Sequence, residues 1–276
     1  MDLKGKTAIV TGGAMGIGLA TCKRLVKEGC VVTIWDLNET EMSKAKIELE
    51  NLGGKVFTYV CDVTKKELVR ELVAQALKDM GQINILINNA GYVKNGNFLD
   101  QPVEAWEKTI DVNITSLLYT IHQVLPHMHE KNSGHIVNIS SAAGIIGVGG
   151  ISVYAATKWA VWGLTESLRF ESYSLGKNGV KWTSIHPSYL ASGMFEGAKL
   201  NFLGNLIVPL VKNHDVIAKA IVNDALIKGK NVVRRPCTLR LSIILRGILP
   251  DFLFQKMLVL MGVHQSMHGF KGRESK

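Results

Sequence analysis

The sequence predicts an α/β protein, one large domain of strands alternating with helices in an open sheet. Two observations carry this. Six short strand-like runs alternate with helical patterns between Thr7 and Ile185, an order that demands right-handed crossovers. The run Thr11-Gly12-Gly13-Ala14-Met15-Gly16-Ile17-Gly18 also stands between the first strand and the first helix. Glycines there let the backbone come close to a pyrophosphate sitting on the helix N-terminus.

Composition agrees with one large domain. Of 276 residues, 47% are hydrophobic and 20% charged, and no Pro/Ser-rich linker or internal repeat divides them. Cys22, Cys30, Cys61 and Cys237 lack Cys-x-x-Cys spacing and read as reduced core thiols of a cytosolic protein. Met1 to Lys6 run straight into a strand, so no signal peptide or N-terminal anchor is expected. The net charge of +9 is uneven. Residues 1–180 hold 18 basic and 18 acidic side chains, whereas residues 181–276 hold 14 against 5. No aromatic-basic RNA motif or reading helix accompanies the surplus, so no nucleic-acid partner is expected; a solvated surface or an anionic membrane remain as its readings.

Thr7 to Val10 form the first strand, and Leu19, Leu25 and Val26 mark the helix that ends at Gly29. Val31 to Trp35 form the second strand, with Asp36 at its carboxyl end. An acid there, 18 residues beyond Gly18, can accept both hydroxyls of an adenine ribose and repels a 2′-phosphate. Neither Leu37 nor Met15 offers a basic group, so NAD is favoured over NADP. The plain alternative is an aspartate capping the next helix. Glu41 to Leu52 are helical, Lys55 to Val60 extended, and Cys61-Asp62-Val63 close that strand, with Thr64 as expected N-cap of a helix through Met80. Ile83 to Ile87 are continuously apolar, as inside a parallel sheet. They end in Asn88-Asn89-Ala90-Gly91, either a structural turn or part of a ligand-binding sheet edge.

From Pro102 the pattern is helical, with Ile114, Leu117, Leu118, Ile121, Val124, Leu125 and Met128 at 3–4 spacing. Asn113 interrupts it, as a satisfied core amide or a kink with a task. His122, His127, His129, His135 and His186 lack ligand company at metal spacing, and no metal site is expected. His135 to Ile139 form the fifth strand, delivering Ser140-Ser141 to the same edge. A helix from about Ser152 to Leu175 carries Tyr154 and Lys158 at i and i+4, on one face. An ammonium beside a phenol lowers a pKa that starts near ~10, which makes a tyrosine a general base. An aromatic core residue and a solvated lysine are the plain alternative. Ala155, Ala156 and Ala160 leave room for close packing by another helix or subunit. Val180 to Ile185 form the sixth strand, ending in His186-Pro187-Ser188.

Taken together, Thr11-Gly12-x-x-x-Gly16-x-Gly18, Asp36, Asp62-Val63, Asn88-Asn89-Ala90-Gly91, Asn113, Ser141, Tyr154 and Lys158 resemble the short-chain dehydrogenase/reductase family over about residues 4–235. The resemblance implies a Rossmann-type, doubly wound, seven-stranded, mostly parallel sheet with helices on both faces, and Val232-Val233 in the seventh strand. It implies that Tyr154 is the catalytic base or acid, that Lys158 holds the nicotinamide ribose and lowers the tyrosine pKa, that Ser141 orients the reacting oxygen, and that Asn113 anchors a relay water. It also implies that Gly12, Met15, Gly16, Ile17, Gly18, Asp36, Asp62, Val63, Asn89, Ala90, Gly91, Tyr154, Lys158, Pro187, Leu190 and Ser192 bind the cofactor. Where the family shows Pro-Gly and then Thr, this chain has Pro187-Ser188 and Ser192. Ser192 keeps the hydroxyl, whereas the Cβ of Ser188 predicts a different local backbone.

Ser192-Gly193-Met194-Phe195-Glu196-Gly197, Ile248-Leu249-Pro250 and the ending Gly262-Val263-x-Gln265-Ser266-Met267-x-x-Phe270 resemble the retinol dehydrogenase and 17β-hydroxysteroid dehydrogenase branch, which implies a large apolar alcohol. Residues 236–276 are expected to form an apolar, basic helical extension of the catalytic domain at 1–235. In it, Leu239 to Leu249 and Phe252 to Met261 flank Pro250, too short and too interrupted to span a membrane. A lid over an apolar channel, an interfacial helix giving peripheral membrane contact, and a packing or dimer element all suit them. The resulting expectation is an NAD-dependent enzyme, a homodimer or homotetramer, interconverting a hydrophobic alcohol and its aldehyde or ketone. Reduction of a small polar or acyl-thioester carbonyl, and a non-catalytic dinucleotide sensor at a membrane, are the alternatives.

Overall fold

The computed structural model describes residues 1–272. Strands β1 (Thr7–Thr11), β2 (Val31–Asp36), β3 (Val56–Val60), β4 (Ile85–Asn88), β5 (Gly134–Ile139), β6 (Val180–Pro187) and β7 (Val232–Arg235) form one sheet in the order β3-β2-β1-β4-β5-β6-β7. Every pair is parallel, so the expected sheet is all parallel rather than mostly so. Consecutive strand residues point to opposite faces. Val10, Ile34, Ile87 and Val137 therefore enter one core, and Ile9, Trp35, Leu86 and Ile136 the other.

Helix α1 (Gly16–Lys27) covers the first face through Cys22 and Leu25, and α2 (Glu39–Asn51) through Met42, Ala45 and Leu49. On the second face lie α3 (Lys66–Met80), α5 (Ser116–Glu130) and α6 (Ser152–Ser174), contributing Val73, Ile121, Val124 and Val161. Helix α4 (Val103–Ile110) runs into α5 through a π-turn at Asp111–Thr115, and Asn113 sits in that turn. Neither the cap offered as the plain alternative for Asp36 nor the one expected of Thr64 forms. Asn38 rather than Asp36 caps α2, accepting from Glu41 N–H at 3.0 Å. The Thr64 hydroxyl donates to Asp62 instead (2.7 Å), so α3 starts at Lys66 with no side-chain cap.

The chain leaves β1 toward β3 on one side and returns to β4 on the other. The gap between the carboxyl ends of β1 and β4 is the switch point at which ligands bind in such sheets. Just below it, Thr120 donates to Asn88 (2.7 Å), Asn88 to Asn138 (2.9 Å) and Asn138 to Thr165 (2.9 Å). This buried chain of amides and hydroxyls locks α5, β4, β5 and α6 in register. Asn88 is thus structural, and Asn89 is the amide at the cleft.

After β6 the chain builds a cap from α7 (Phe202–Ile207), α9 (Leu239–Ile248) and α10 (Asp251–Leu260), while α8 (His214–Lys219) packs against α1. Leu200, Val208, Leu239, Met261, Val263 and Met267 share a third core with Tyr154 and Ala143. The segment from residue 236 therefore packs on the sheet's carboxyl edge. Its last residues, Arg273 to Lys276, lie outside the described residues.

Candidate active site

A cleft of about 270 Å³ opens over the switch point. Gly12, Met15, Ile17, Asp36, Asp62, Val63, Asn89, Ala90 and Gly91 line one end, and Ser141, Tyr154, Lys158, Pro187, Leu190 and Ser192 the other. Of the sequence-predicted residues, Gly16, Gly18 and Asn113 stand behind this wall. Gly18 serves the turn from within: a Cβ there would fall on the Gly12 carbonyl and 2.8 Å from the Asn89 amide. Gly12 itself has φ +60°, which side chains disfavour. Asn89 donates to the carbonyls of Thr11 and Gly12, both at 2.9 Å, and so clamps β4's end to the glycine turn. Asp36 braces the same turn from β2, accepting from Ala14 N–H at 3.0 Å.

At the other end, strand β5 delivers Ser140 and Ser141. The Ser140 hydroxyl donates to the Lys158 carbonyl (2.7 Å), and the Lys158 ammonium donates to the Ile139 carbonyl (2.9 Å). These reciprocal bonds hold the first turns of α6 against β5. Lys158 Nζ lies 5.5 Å from the Tyr154 ring centre, on the shared helical face the spacing predicted. Tyr154 and Ser141 line the same cleft, which brings phenol and hydroxyl to one place from thirteen residues apart in sequence. Asn113 accepts from Tyr92 N–H and donates to the Tyr92 carbonyl, both at 2.8 Å, and reaches Thr157 at 3.2 Å. Core amide and helix irregularity, offered as alternatives by the sequence, coincide in this residue.

The electrostatics differ from the expected simple lowering of the phenol by the ammonium. Burial dominates and pushes the Tyr154 phenol up, and the Ser141 hydroxyl pulls it partly back. Burial also lowers the Lys158 ammonium to about 8. A buried phenol and an ammonium of reduced affinity for its proton thus stand together on the cleft wall.

Ser188, where a glycine is usual, is buried and outside the positive-φ region. Three side chains at this end escaped the sequence reading. His186, at the end of β6, donates from Nδ1 to the Ser141 carbonyl (3.2 Å) while Nε2 accepts from Ser184 (3.0 Å). Tyr189 shares a hydrogen bond with Ser266 (2.7 Å), joining the β6 loop to the C-terminal segment. Phe195 meets Tyr154, Tyr189 and Phe270 edge-on at 5.4, 6.1 and 6.2 Å. His186 was visible as the residue before Pro187, but the Ser141 carbonyl it meets lies 45 positions away.

Burial lowers His186 and His135 to about 3 each. The folded chain keeps both neutral, while the unfolded chain protonates them below about 6.5. Stability is therefore full above that pH and falls as pH drops toward about 3, by up to ~1.4 kcal/mol per pH unit for each site. Urea midpoints between pH 7 and 5 should show this slope, and His135→Gln should remove about half of the part these two sites supply.

Beside Ser141 an enclosed cavity of about 40 Å³ is walled by Ala142, Ile146, Val148, Tyr189 and Phe195 and roofed by Leu239, Leu258, Met261 and Val263. Ser141 thus borders both the switch-point cleft, which it shares with Tyr154, and the apolar chamber.

A family model described as short chain dehydrogenase matches residues 6–201. Epidermal retinol dehydrogenase 2 of Mus musculus is 33% identical, with 100% of this chain and 88% of that protein covered. Human 17-beta-hydroxysteroid dehydrogenase 13 is 28% identical over 91% of this chain and 81% of its own length. The crystal structure of a short chain dehydrogenase/reductase from Burkholderia phymatum in complex with NAD superposes with TM-score 0.80 at 22% identity, covering 92% of this chain and 96% of that one. With its glycine turn, switch-point cleft and matched core, this chain belongs to the short-chain dehydrogenase/reductase family of NAD(P)-dependent oxidoreductases.

Proposed function

We propose that this enzyme oxidises or regenerates a large apolar alcohol, using NAD in preference to NADP. The observation that carries the reading is the apolar chamber directly against Ser141, roofed by α9 and α10. Two relatives with near-complete coverage, named as retinol and hydroxysteroid dehydrogenases, support the same substrate class. No charged side chain lines the chamber, so the apolar carbons next to the reacting hydroxyl gain from leaving water there, at about 25 cal/mol per Å² buried.

The cleft fits a dinucleotide. The turn whose backbone Gly12 and Gly18 hold open suits a pyrophosphate at the start of α1, and Asp36 suits ribose hydroxyls. When bound, the nicotinamide supplies the hydride acceptor or donor. Ser141 holds the substrate oxygen, and the Tyr154 phenol, beside it on the cleft wall, exchanges the hydroxyl proton with it. Lys158, anchored to the Ile139 carbonyl, presents positive charge beside the phenol and the ribose. Asn113 keeps Tyr92 and Thr157 in place behind them. Self-association through α4 and α6 belongs to this reading. A shallow surface groove there, lined by Phe98, Ile110, Ile114, Val153, Ala156 and Ala160, carries no charge and suits a second copy.

The test is reduced-nicotinamide formation from NAD with all-trans-retinol, hydroxysteroids and long-chain alcohols. Turnover of one of these is expected. Activity confined to short polar or acyl-thioester carbonyls would overturn the substrate class. Leu258→Trp should fill the chamber and lower kcat/KM for the large alcohol roughly 10- to 100-fold, while a short alcohol and cofactor affinity change little.

A further inference from the structure

The cap helices have two apolar faces. Inward, Leu239 and Ser242 of α9 and Leu258 of α10 roof the chamber. Outward, Leu241, Ile244 and Ile248 repeat at i, i+3 and i+7 along α9, and all three are exposed. On α10, Phe252, Leu253, Val259 and Leu260 are exposed as well. Helix α7 adds Phe202, 87% exposed, and Leu206, 71% exposed. The Asn201 amide donates to the Leu260 carbonyl (2.7 Å), which sets the start of α7 beside the end of α10. A lid that only shielded a pocket from water would turn a polar face outward.

Charge identifies the occupant. The surplus of basic residues lies in the last third of the chain. Arg240 flanks the outer stripe of α9, and Lys256 stands amid that of α10, its ammonium 5.8 Å from the Phe252 ring. Only Asp251 is acidic on these two helices. A long basic side chain can lay its stem on an apolar face and raise its charge to lipid headgroups. A two-fold contact between copies of this face would instead set like charges against each other. Among the described residues no helix is long and apolar enough to cross a bilayer, so the face can only lie on one.

We infer that α7, α9 and α10 seat the enzyme on an anionic lipid surface, with the roof of its apolar chamber against the bilayer. This names the partner of the apolar site and rests on the proposed function only for the substrate's route; vesicle binding is read without turnover. The full chain would be sedimented with vesicles of phosphatidylcholine alone and of phosphatidylcholine with phosphatidylserine. Partitioning to the anionic vesicles is expected, weakened by salt. Arg240→Gln with Lys256→Gln should reduce it by roughly 25-fold. Phe202→Glu with Ile248→Glu and Leu260→Glu should abolish it while NADH fluorescence and far-UV circular dichroism stay unchanged. Wild-type protein left in the supernatant would overturn the inference. A dimer that the triple variant splits would assign the face to a second copy, and undiminished vesicle binding by the triple variant would place the contact elsewhere.

Discussion

Tyr154→Phe is expected to lower kcat/KM by about 10²- to 10⁴-fold, the range that a positioned proton-transfer group contributes. The substitution deletes one oxygen from a buried ring and leaves the ring's edge contact with Phe195 and its place in the third core. Cofactor affinity, read by NADH fluorescence, should stay within a few-fold of wild type, because the ring keeps its shape at the cleft wall. Ser141 would keep its bond from Ala143 N–H. A variant that retains most of its turnover would remove Tyr154 from the proton path. A variant that loses NADH binding to the same extent as turnover would make it a packing residue.

Asp36→Ala is expected to shift the ratio of kcat/KM for NAD to that for NADP by at least about tenfold toward NADP, an energy near 1.4 kcal/mol. Two effects compete. Losing the carboxylate frees Ala14 N–H and Asn38 N–H, which loosens the glycine turn for both cofactors alike. It also removes a negative charge from the place where a 2′-phosphate would lie, which favours NADP alone. The ratio isolates the second effect from the first. An unchanged ratio would mean that Asp36 only braces the turn.

Much of the site was legible because strand ends are local features. A glycine turn between strand and helix, an acid at the end of β2 and two residues four apart on α6 can be read from spacing, since each rests on a backbone period of 3.6 or 2. The six strands read from spacing were placed to within a few residues, and β7 stands where the family resemblance implied it. Local rules failed where two candidates competed for one backbone group. Asn38 outcompeted Asp36 as the cap of α2, and Thr64 turned to Asp62 rather than to the helix. Asp36 was already engaged with Ala14, a partner 22 residues away.

What the sequence determined by itself is the doubly wound order, the family and the residues gathered at the sheet's carboxyl edge. Tertiary structure decided how those residues are used. His186 reaches Ser141 across 45 positions and Tyr189 reaches Ser266 across 77, contacts that no periodicity encodes. It also decided that burial, more than the neighbouring ammonium, governs the Tyr154 phenol, because desolvation depends on every atom packed around a group. The two faces of α9 and α10 belong to the same level. Composition marks both helices as apolar, and only packing shows which side roofs the chamber and which is left facing outward.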